Sequence, residues 1–403
     1  MKSVILIDNK YKWSTLRIES WHVYFKGGVW IDETFYEEQE ACKIIARKFN
    51  EISNIDNLQL NNLINSFTGH FAIILRNDKI TFAAVDKIRS IPIYYSQRSN
   101  RLFLSNSAAE IKSNLAIEDV DYDASLQFSM AGYTLGNQTL YKSLNQLIAG
   151  EYIVLQKESG NIRFQNYFKY FEQQTYLKSE EELLDELHIQ TMTTFNKMVE
   201  SLNGLPVFLP LSGGYDSRFI LSLLKELKYD NITTYTYGIK GLWEVKRAKF
   251  IADKLKTKWI FIEFKPKSIR KNYHTSNRID YYNYASGYNS APHLAEYYAL
   301  LELRKRNFIP DDAIIINGQS GDFTSGGHLP ELLVNHGDDE LNISLLTDSI
   351  IKKHFSLWQN KLDKENISQI ANRITHLLGL DNVTKLSKDS FAKYYELFEC
   401  QER

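Results

Sequence analysis

Cysteine is nearly absent from this chain of 403 residues: only Cys42 and Cys400 occur. They stand far apart and in no metal-ligand or redox spacing, which excludes a disulfide scaffold and a cysteine zinc site and fits a reducing cytoplasm. Long apolar runs are also missing, so no segment reads as a membrane span. The opening MKSVILIDNKYKW carries only a short apolar run and no small-residue cleavage site, and it reads as a strand, not a signal peptide. Charge of one sign is lacking too. Lys and Arg number 48 against 49 Asp and Glu, a net charge of -1, so no basic field points to nucleic acid. There is no internal repeat and no low-complexity tract. Nor is there a GK[ST] phosphate loop, so γ-phosphate transfer is not the indicated chemistry. What remains is a chain long enough for two or three domains, 43% hydrophobic and able to build sizeable cores.

The first part, to about Tyr170, is β-rich. FAIILRNDKITFAAVD pairs two apolar runs around Asn77-Asp78, a hairpin signal. IPIYYS and RLFLSN predict two short strands, and EYIVLQKESGNIRFQNYF predicts a second hairpin turning at Gly160-Asn161. EEQEACKIIARKF and the stretch near DASLQFSMAGY predict helices. Trp21 and Trp30 are expected in the core. A boundary falls near Gln173 to Lys178. Ser179 with Glu182 then forms a capping box, opening a helix with Leu184, Leu187, Thr191, Phe195 and Met198 along one side.

Strands and helices alternate after that. LPVFLPL, TTYTYG, KWIFIEF and DDAIIING read as strands. SRFILSLLKEL places Phe219, Ile220, Leu223, Leu224 and Leu227 on one helical face. WEVKRAKFIADKLK turns Val245, Ala248, Ala252 and Leu255 inward, and HLAEYYALLELRKRNF is a third helix. Such alternation builds a parallel sheet with right-handed crossovers, whose ligands bind at the carboxyl ends of the strands. From Pro330 on the chain predicts helices joined by polar loops.

Two glycine-bearing turns follow strands of that sheet. In SGGYDS, Gly213 and Gly214 let successive N–H groups face an anion. Ser212 and Ser217 add hydroxyls, and the helix beginning at Ser217 points its positive end at the turn. Asp216 cannot bind phosphate itself, and makes sense as a ligand of Mg²⁺ that the phosphates share. The second turn is NGQSGDFTSGG, where Gly318 and Gly321 permit close approach of backbone to phosphate and Asp322 supplies a second carboxylate. Arg218 reads as a phosphate contact or simply as the start of a helix, and His293 and His328, which flank the turns, read as packing or surface residues in preference to site residues.

These turns, in this order, resemble the synthetase domain of the asparagine synthetase B family. Its pyrophosphate loop reads SGGxDS, matched by Ser212, Gly213, Gly214, Asp216 and Ser217. Its second loop reads SGEGSDE, matched in part by Asn317 to Asp322. TYGIKGLWEVKRAKFIADKL is similar to the family's strand and helix beside the adenine, with Tyr237 and Gly238 against the base and Glu244 opening the helix. The stretch from FTGHFAIILRNDKITFAAVDKIRSIPIYY to LFLSNSAAEIKSNL resembles the latter half of the family's glutaminase domain. The resemblance implies an α/β chain: residues 1–172 a degenerate, inactive Ntn-type (class II amidotransferase-like) β-rich sandwich, residues 178–403 a parallel-sheet ATP-pyrophosphatase (PP-loop) domain with added helices. It also implies ATP and Mg²⁺, adenylation of a carboxylate with release of pyrophosphate, and attack by an amine to give an amide and AMP. Leu211, Ser212, Gly213, Gly214, Asp216, Ser217, Tyr237, Gly238, Asn317 and Gly318 would hold the nucleotide, and Asp216 and Asp322 the metal. Counting back from NSAP, Asn289 to Pro292, puts Asp280 near the family's amine-assisting glutamate, with Tyr282 and Tyr284 beside it.

The chain departs from the family at several points. Lys2 stands where the glutaminase nucleophile would be a cysteine, and the glutamine-pocket motifs NGEIYN and SDxE are missing. Nitrogen would then come from an amine or ammonia that the chain does not release from glutamine. Gln319 and Phe323 stand where the second loop is acidic. The sequence stops at Arg403, before the family's later helices and their transition-state lysine, for which Lys385 and Lys388 stand only by default. The expectation is a cytoplasmic amide-forming ligase with a small-molecule or peptide carboxylate and an amine as substrates, without nucleic acid or membrane. A homodimer or a partner protein stays open. The alternative is a non-catalytic nucleotide-binding partner protein. A tRNA-modifying or sulfur-transferring role is disfavoured by the lack of a cysteine near the loops and of a basic surface.

Overall fold

The computed structural model describes residues 1–52, 57–170, 178–335 and 340–402. The boundary expected near Gln173 to Lys178 lies almost wholly outside them. The chain forms two compact units. One comprises Met1–Gln173, Asn283–Ala291 and Leu329–Arg403, the other Gln174–Tyr282 and Pro292–His328.

The first unit contains β1 (Lys2–Leu6), β2 (Ser14–Ile18), β3 (Trp21–Ile31), β4 (Thr34–Glu37), α1 (Glu38–Glu51), α2 (Asn57–Ser66), β5 (Thr68–Arg76) and β6 (Ile80–Val85). It continues with β7 (Tyr94–Arg98), β8 (Arg101–Ser105), α3 (Ala108–Leu115), α4 (Tyr122–Ala131), β9 (Asn145–Gln146), β10 (Glu151–Gln156) and β11 (Ile162–Asn166). Both predicted hairpins form: β5 pairs antiparallel with β6, and β10 with β11. One sheet runs β11-β10-β6-β5-β3-β2, with β4 on β3; the other runs β1-β8-β7-β9. Alternation along β5 explains the layering. Phe71, Ile73 and Leu75 pack with α1 and α2 residues such as Cys42, Ile45 and Leu60. Ala72 and Ile74 face the other way, toward Tyr95, Leu102 and Leu104 of the second sheet. The second sheet's outer face takes α3 through Tyr94, Ala108 and Ile111. Helices thus cover both sides of two stacked sheets, as an amidotransferase-like sandwich requires. Trp21 and Trp30 are buried in it.

The second unit contains α5 (Glu180–Leu202), β12 (Val207–Pro210), α6 (Asp216–Glu226), β13 (Ile232–Gly238), α7 (Trp243–Lys254), β14 (Lys258–Glu263), α8 (Pro266–Tyr273), α9 (Ser276–Ala285, whose last three residues belong to the first unit), α10 (Leu294–Lys305), β15 (Ile314–Ile315) and α11 (Gly321–Thr324). Its four strands are parallel, in the order β14-β13-β12-β15. β12 is buried on both faces: Val207 and Leu209 meet Leu221, Leu224, Ala248 and Ala252 of α6 and α7, while Phe208 meets Ala299 and Leu303 of α10. From β12 the chain steps outward to β13 and β14, then returns to the other side of β12 as β15. The strand order therefore reverses between β12 and β15, and a crevice opens at their carboxyl ends.

Helix existence was legible, but facing was less so. The capping box of Ser179 and Glu182 is present. Yet Leu184 and Leu187 are 57% and 61% exposed, because only the second half of α5, at Met198, Val199 and Leu202, meets the sheet. In α6 Phe219 is 53% exposed and Leu221 is fully buried in its place. The inward stripe is Ser217, Ile220, Leu221 and Leu224, at the i, i+3, i+4 and i+7 spacing.

The C-terminal helices differ from the sequence-based division at residue 178. α12 (Leu332–Asn335), α13 (Ile343–His354), α14 (Lys364–Leu377) and α15 (Lys388–Leu397) belong to the first unit. Leu346, Ile350, Ile374, Phe391 and Phe398 share a core with Met130 and Leu135. A π-helical turn, Phe398–Glu402, is fixed by buried polar contacts. Lys353 Nζ and His354 Nε2 lie 2.6 and 2.7 Å from Glu399 Oε1. Gln401 Nε2 donates to the carbonyls of Ala149 at 2.9 Å and Phe168 at 3.0 Å. Nearby, burial pushes the carboxyls of Glu151 and Glu402 each up to about 7. The Ile148 N–H opposes the shift on Glu151, and Arg373, Lys169 and Arg89 oppose it on Glu402.

This cluster makes stability depend on pH. A carboxyl whose folded pKa is raised holds its proton longer in the folded chain, so its contribution is full below the ordinary 4.5 and is lost as pH rises through about 7. The Glu402→Gln chain, neutral at every pH, should gain several degrees in melting temperature over the wild type between pH 5 and 8. A melting difference that stays flat across that range would contradict the assignment.

Candidate nucleotide site

The crevice predicted by strand order is occupied by a cavity of about 400 Å³. Leu211, Ser212, Asp216 and Ser217 line it from the turn after β12. Asn317, Gly318 and Gln319 come from the turn after β15, and Tyr235, Thr236, Tyr237 and Gly238 from the end of β13. Leu242, Glu244 and Val245 at the start of α7, with Glu296 of α10, complete it.

The first turn is held by its own serines. Ser217 is buried, and its Oγ accepts from the Ser212 N–H at 3.1 Å and lies 3.1 Å from Ser212 Oγ. Ser212 Oγ accepts in turn from Gly214 N–H at 3.1 Å. The base of the turn is tied to β13, where Thr236 Oγ1 donates to the Leu211 carbonyl at 2.7 Å. α6 then starts at Asp216 with no side-chain cap. Asp216 and Ser217 of its first turn line the cavity, and the first N–H groups of a helix have no acceptor within it, the property of an anion site.

The second turn fits against the first only because two of its residues lack side chains. A Cβ at Gly318 would lie 2.9 Å from both Asp216 Cβ and the Ser217 amide nitrogen, and one at Gly321 would overlap Asp216 Oδ1. The Asp216 carboxylate occupies the space that the Gly318–Gly321 turn leaves. Gly213 is packed less closely, since a Cβ there would lie 3.2 Å from the Trp243 ring.

Ser212, Asp216, Ser217, Leu211, Tyr237, Gly238, Asn317 and Gly318 are thus brought together, with Gly213 and Gly214 within the first turn. Asp322 is exposed one turn further on, and its carbonyl meets His328 Nδ1 at 3.2 Å. Among the described residues no group of three or more His, Cys, Asp and Glu side chains converges as a metal cage. Asp280 is exposed on α9 and Tyr282 half-buried; neither lines the cavity. Arg278 stacks over Tyr282 instead, 5.7 Å from the ring centre.

Sequence reasoning missed Glu296 and Tyr235. The Tyr235 hydroxyl donates to Glu296 Oε1 at 3.3 Å. Burial, with Glu296 adding to it, raises the hydroxyl pKa of both Tyr235 and Tyr237. Tyr237 is aligned by stacking on Phe264, with ring centres 5.3 Å apart. A signal was present: Glu296, Ala299 and Leu303 form an i, i+3, i+7 stripe, an acid at the head of a buried face.

The glycine packing sets a test. Gly318→Ala and Gly321→Ala should each destabilise the chain by about 1–3 kcal/mol through overpacking. Gly327→Ala, whose Cβ would meet nothing closer than 3.5 Å, should stay within about 0.5 kcal/mol. Urea midpoints of the three variants distinguish these outcomes, and equal midpoints would mean that the two turns are not interlocked.

Two family descriptions match the chain: a glutamine amidotransferase domain over residues 57–168 and asparagine synthase over residues 201–390. An asparagine synthetase [glutamine-hydrolyzing] 1 of Bacillus subtilis is 25% identical over 262 residues. That alignment is 61% of this chain, which spans only 39% of the relative's length. Among solved structures, a B. subtilis glutamine phosphoribosylpyrophosphate amidotransferase complexed with ADP and GMP aligns with TM-score 0.27 and 8% identity, over 65% of this chain and 76% of that one. An NH3-dependent NAD synthetase from Campylobacter jejuni aligns with TM-score 0.25 and 15% identity, over 49% of this chain and 98% of that one. Likeness at these scores carries no weight beside the sheet order and the domain matches. An amidotransferase-type domain followed by an asparagine synthase domain places this chain in the asparagine synthetase B-type family.

Proposed function

We propose that the chain is an ATP-dependent carbon–nitrogen ligase that activates a carboxylate as its acyl-adenylate, releasing pyrophosphate, and passes it to an amine or ammonia. The observation that carries this reading is the interlocked pair of turns at the strand-order reversal, with the uncapped start of α6 facing the cavity. Fixed N–H groups and a helix end placed before reaction stabilise the negative charge that grows on departing pyrophosphate. Ser212 and Ser217 hold the turn in shape, with the Gly214 N–H spent on Ser212 Oγ, and the amides of Gly213, Tyr215, Asp216 and Ser217 receive the phosphates. Mg²⁺ would neutralise phosphate charge as a Lewis acid when bound. The half-buried Asp216 carboxylate fits as its ligand, with the exposed Asp322 as the second. Tyr237 and Gly238 form the wall for the base.

The first unit is proposed to lack glutaminase activity, since Lys2 supplies no nucleophile. The amine-assisting role expected for Asp280 and Tyr282 gains no support from their placement outside the cavity. That placement, and Gln319 lining the cavity where the related loop is acidic, favour the second reading, a non-catalytic nucleotide-binding partner.

Incubation of the full chain with Mg-ATP and a small-molecule extract should yield AMP and pyrophosphate. Asp216→Asn should lower that yield at least about 100-fold. ADP and phosphate would overturn the ligase reading. ATP binding without turnover would move the weight to the partner reading.

A further inference from the structure

The cavity contains an acid that phosphate binding does not use. Glu296 stands in the first turn of α10, and its side chain is only 18% exposed. It heads the stripe whose next members, Ala299 and Leu303, are fully buried. Desolvating a carboxylate is costly unless donors reach it. The Tyr235 hydroxyl reaches Oε1 at 3.3 Å, and His293 Nδ1 lies 3.9 Å from Oε2, beyond hydrogen-bond range. A carboxylate accepts at about four lone-pair positions, so Glu296 keeps accepting capacity toward the cavity. A role confined to the helix dipole would need no burial beside Tyr235, since any exposed first-turn acid serves it.

Near the phosphates a carboxylate is useful only through a shared metal, the part given to Asp216 and Asp322; without one it repels the triphosphate and suits the far end of the nucleotide. Glu296 lines the cavity together with Tyr237 and Gly238, the wall proposed for the base. Its partner Tyr235 lies two residues before Tyr237 and Gly238 on β13, whereas the phosphate turn belongs to β12 and α6. Resting on the Mg-ATP reading above, we propose that Glu296 reads the base. Its carboxylate accepts from the exocyclic amino group of adenine and turns away purines that carry a carbonyl there, because two acceptors would then face each other.

The test is calorimetric binding of Mg-ATP and Mg-ITP to the full chain, which needs no knowledge of the acid or the amine. The wild type should prefer ATP by about 10-fold or more. Glu296→Gln should shrink that preference at least about 5-fold, mainly by tightening ITP, since its amide can donate to the carbonyl. Tyr235→Phe, which removes only the hydroxyl that aims the carboxylate, should shrink it about 2-fold and keeps the proposal testable if the first variant does not fold. Equal binding of the two nucleotides by the wild type would overturn the proposal. So would a Glu296→Gln chain that weakens both alike, the mark of a structural role, or one that alters only discrimination against 2′-deoxy-ATP. If the wild type binds neither nucleotide, the Mg-ATP reading itself fails, and the proposal with it.

Discussion

The close approach of two backbone turns is the constraint on which the proposed site depends. The turn after β15 can lie against the turn after β12 only where it carries no Cβ. Gly318 sits beside the Ser217 amide nitrogen and Gly321 beside the Asp216 carboxylate. Any side chain at either position would push the turns apart and open the cavity. The same contact fixes Asp216, so that one residue both starts α6 and faces the neighbouring turn. The serine pair inside the first turn completes this arrangement, because Ser217 is bonded back to Ser212 instead of to solvent.

The sheet brings these turns together. A parallel order of β14-β13-β12-β15 places the carboxyl ends of β12 and β15 side by side although about a hundred residues separate them in sequence. Burial on both faces of β12 leaves that strand no freedom to slip: a shift by one residue would turn Val207 and Leu209 toward α10 and Phe208 toward α6. The first unit uses the same period-2 logic for another end. β5, β6 and β10 each send alternate side chains to the helix layer and to the second sheet. The C-terminal helices close that unit through an apolar core and a buried acid, Glu399, held by Lys353 and His354.

Much of this was legible because it is local. Hairpins, the capping box and the β–α alternation are set by residues within a few positions of one another, and all of them form. The two glycine-bearing turns at the crevice were legible as turns after strands of the parallel sheet, because glycine and serine after a buried strand have few other uses. Other features depended on distant packing. Leu184 and Leu187 share a helical stripe with Met198, but periodicity cannot say where the surface they face comes to an end. The stretch after Leu329 follows the parallel sheet in sequence yet packs with Met130 and Leu135, and the asparagine synthase match runs across that change of unit. Asp280 was located by counting from a proline turn, which fixes a residue's place in the chain and not the side of α9 it occupies. Glu296 was overlooked because an acid in the first turn of a helix is ordinary; it becomes informative only once α10 is seen packed beside Tyr235.

The most direct measurement is a crystal structure of the full chain with Mg²⁺ and an ATP analogue uncleavable between the α and β phosphates. The account predicts triphosphate density on the amides of Gly213 and of residues 215–217, with the metal at Asp216 and the base beside Gly238. A nucleotide bound anywhere else, or phosphates turned away from the start of α6, would contradict it.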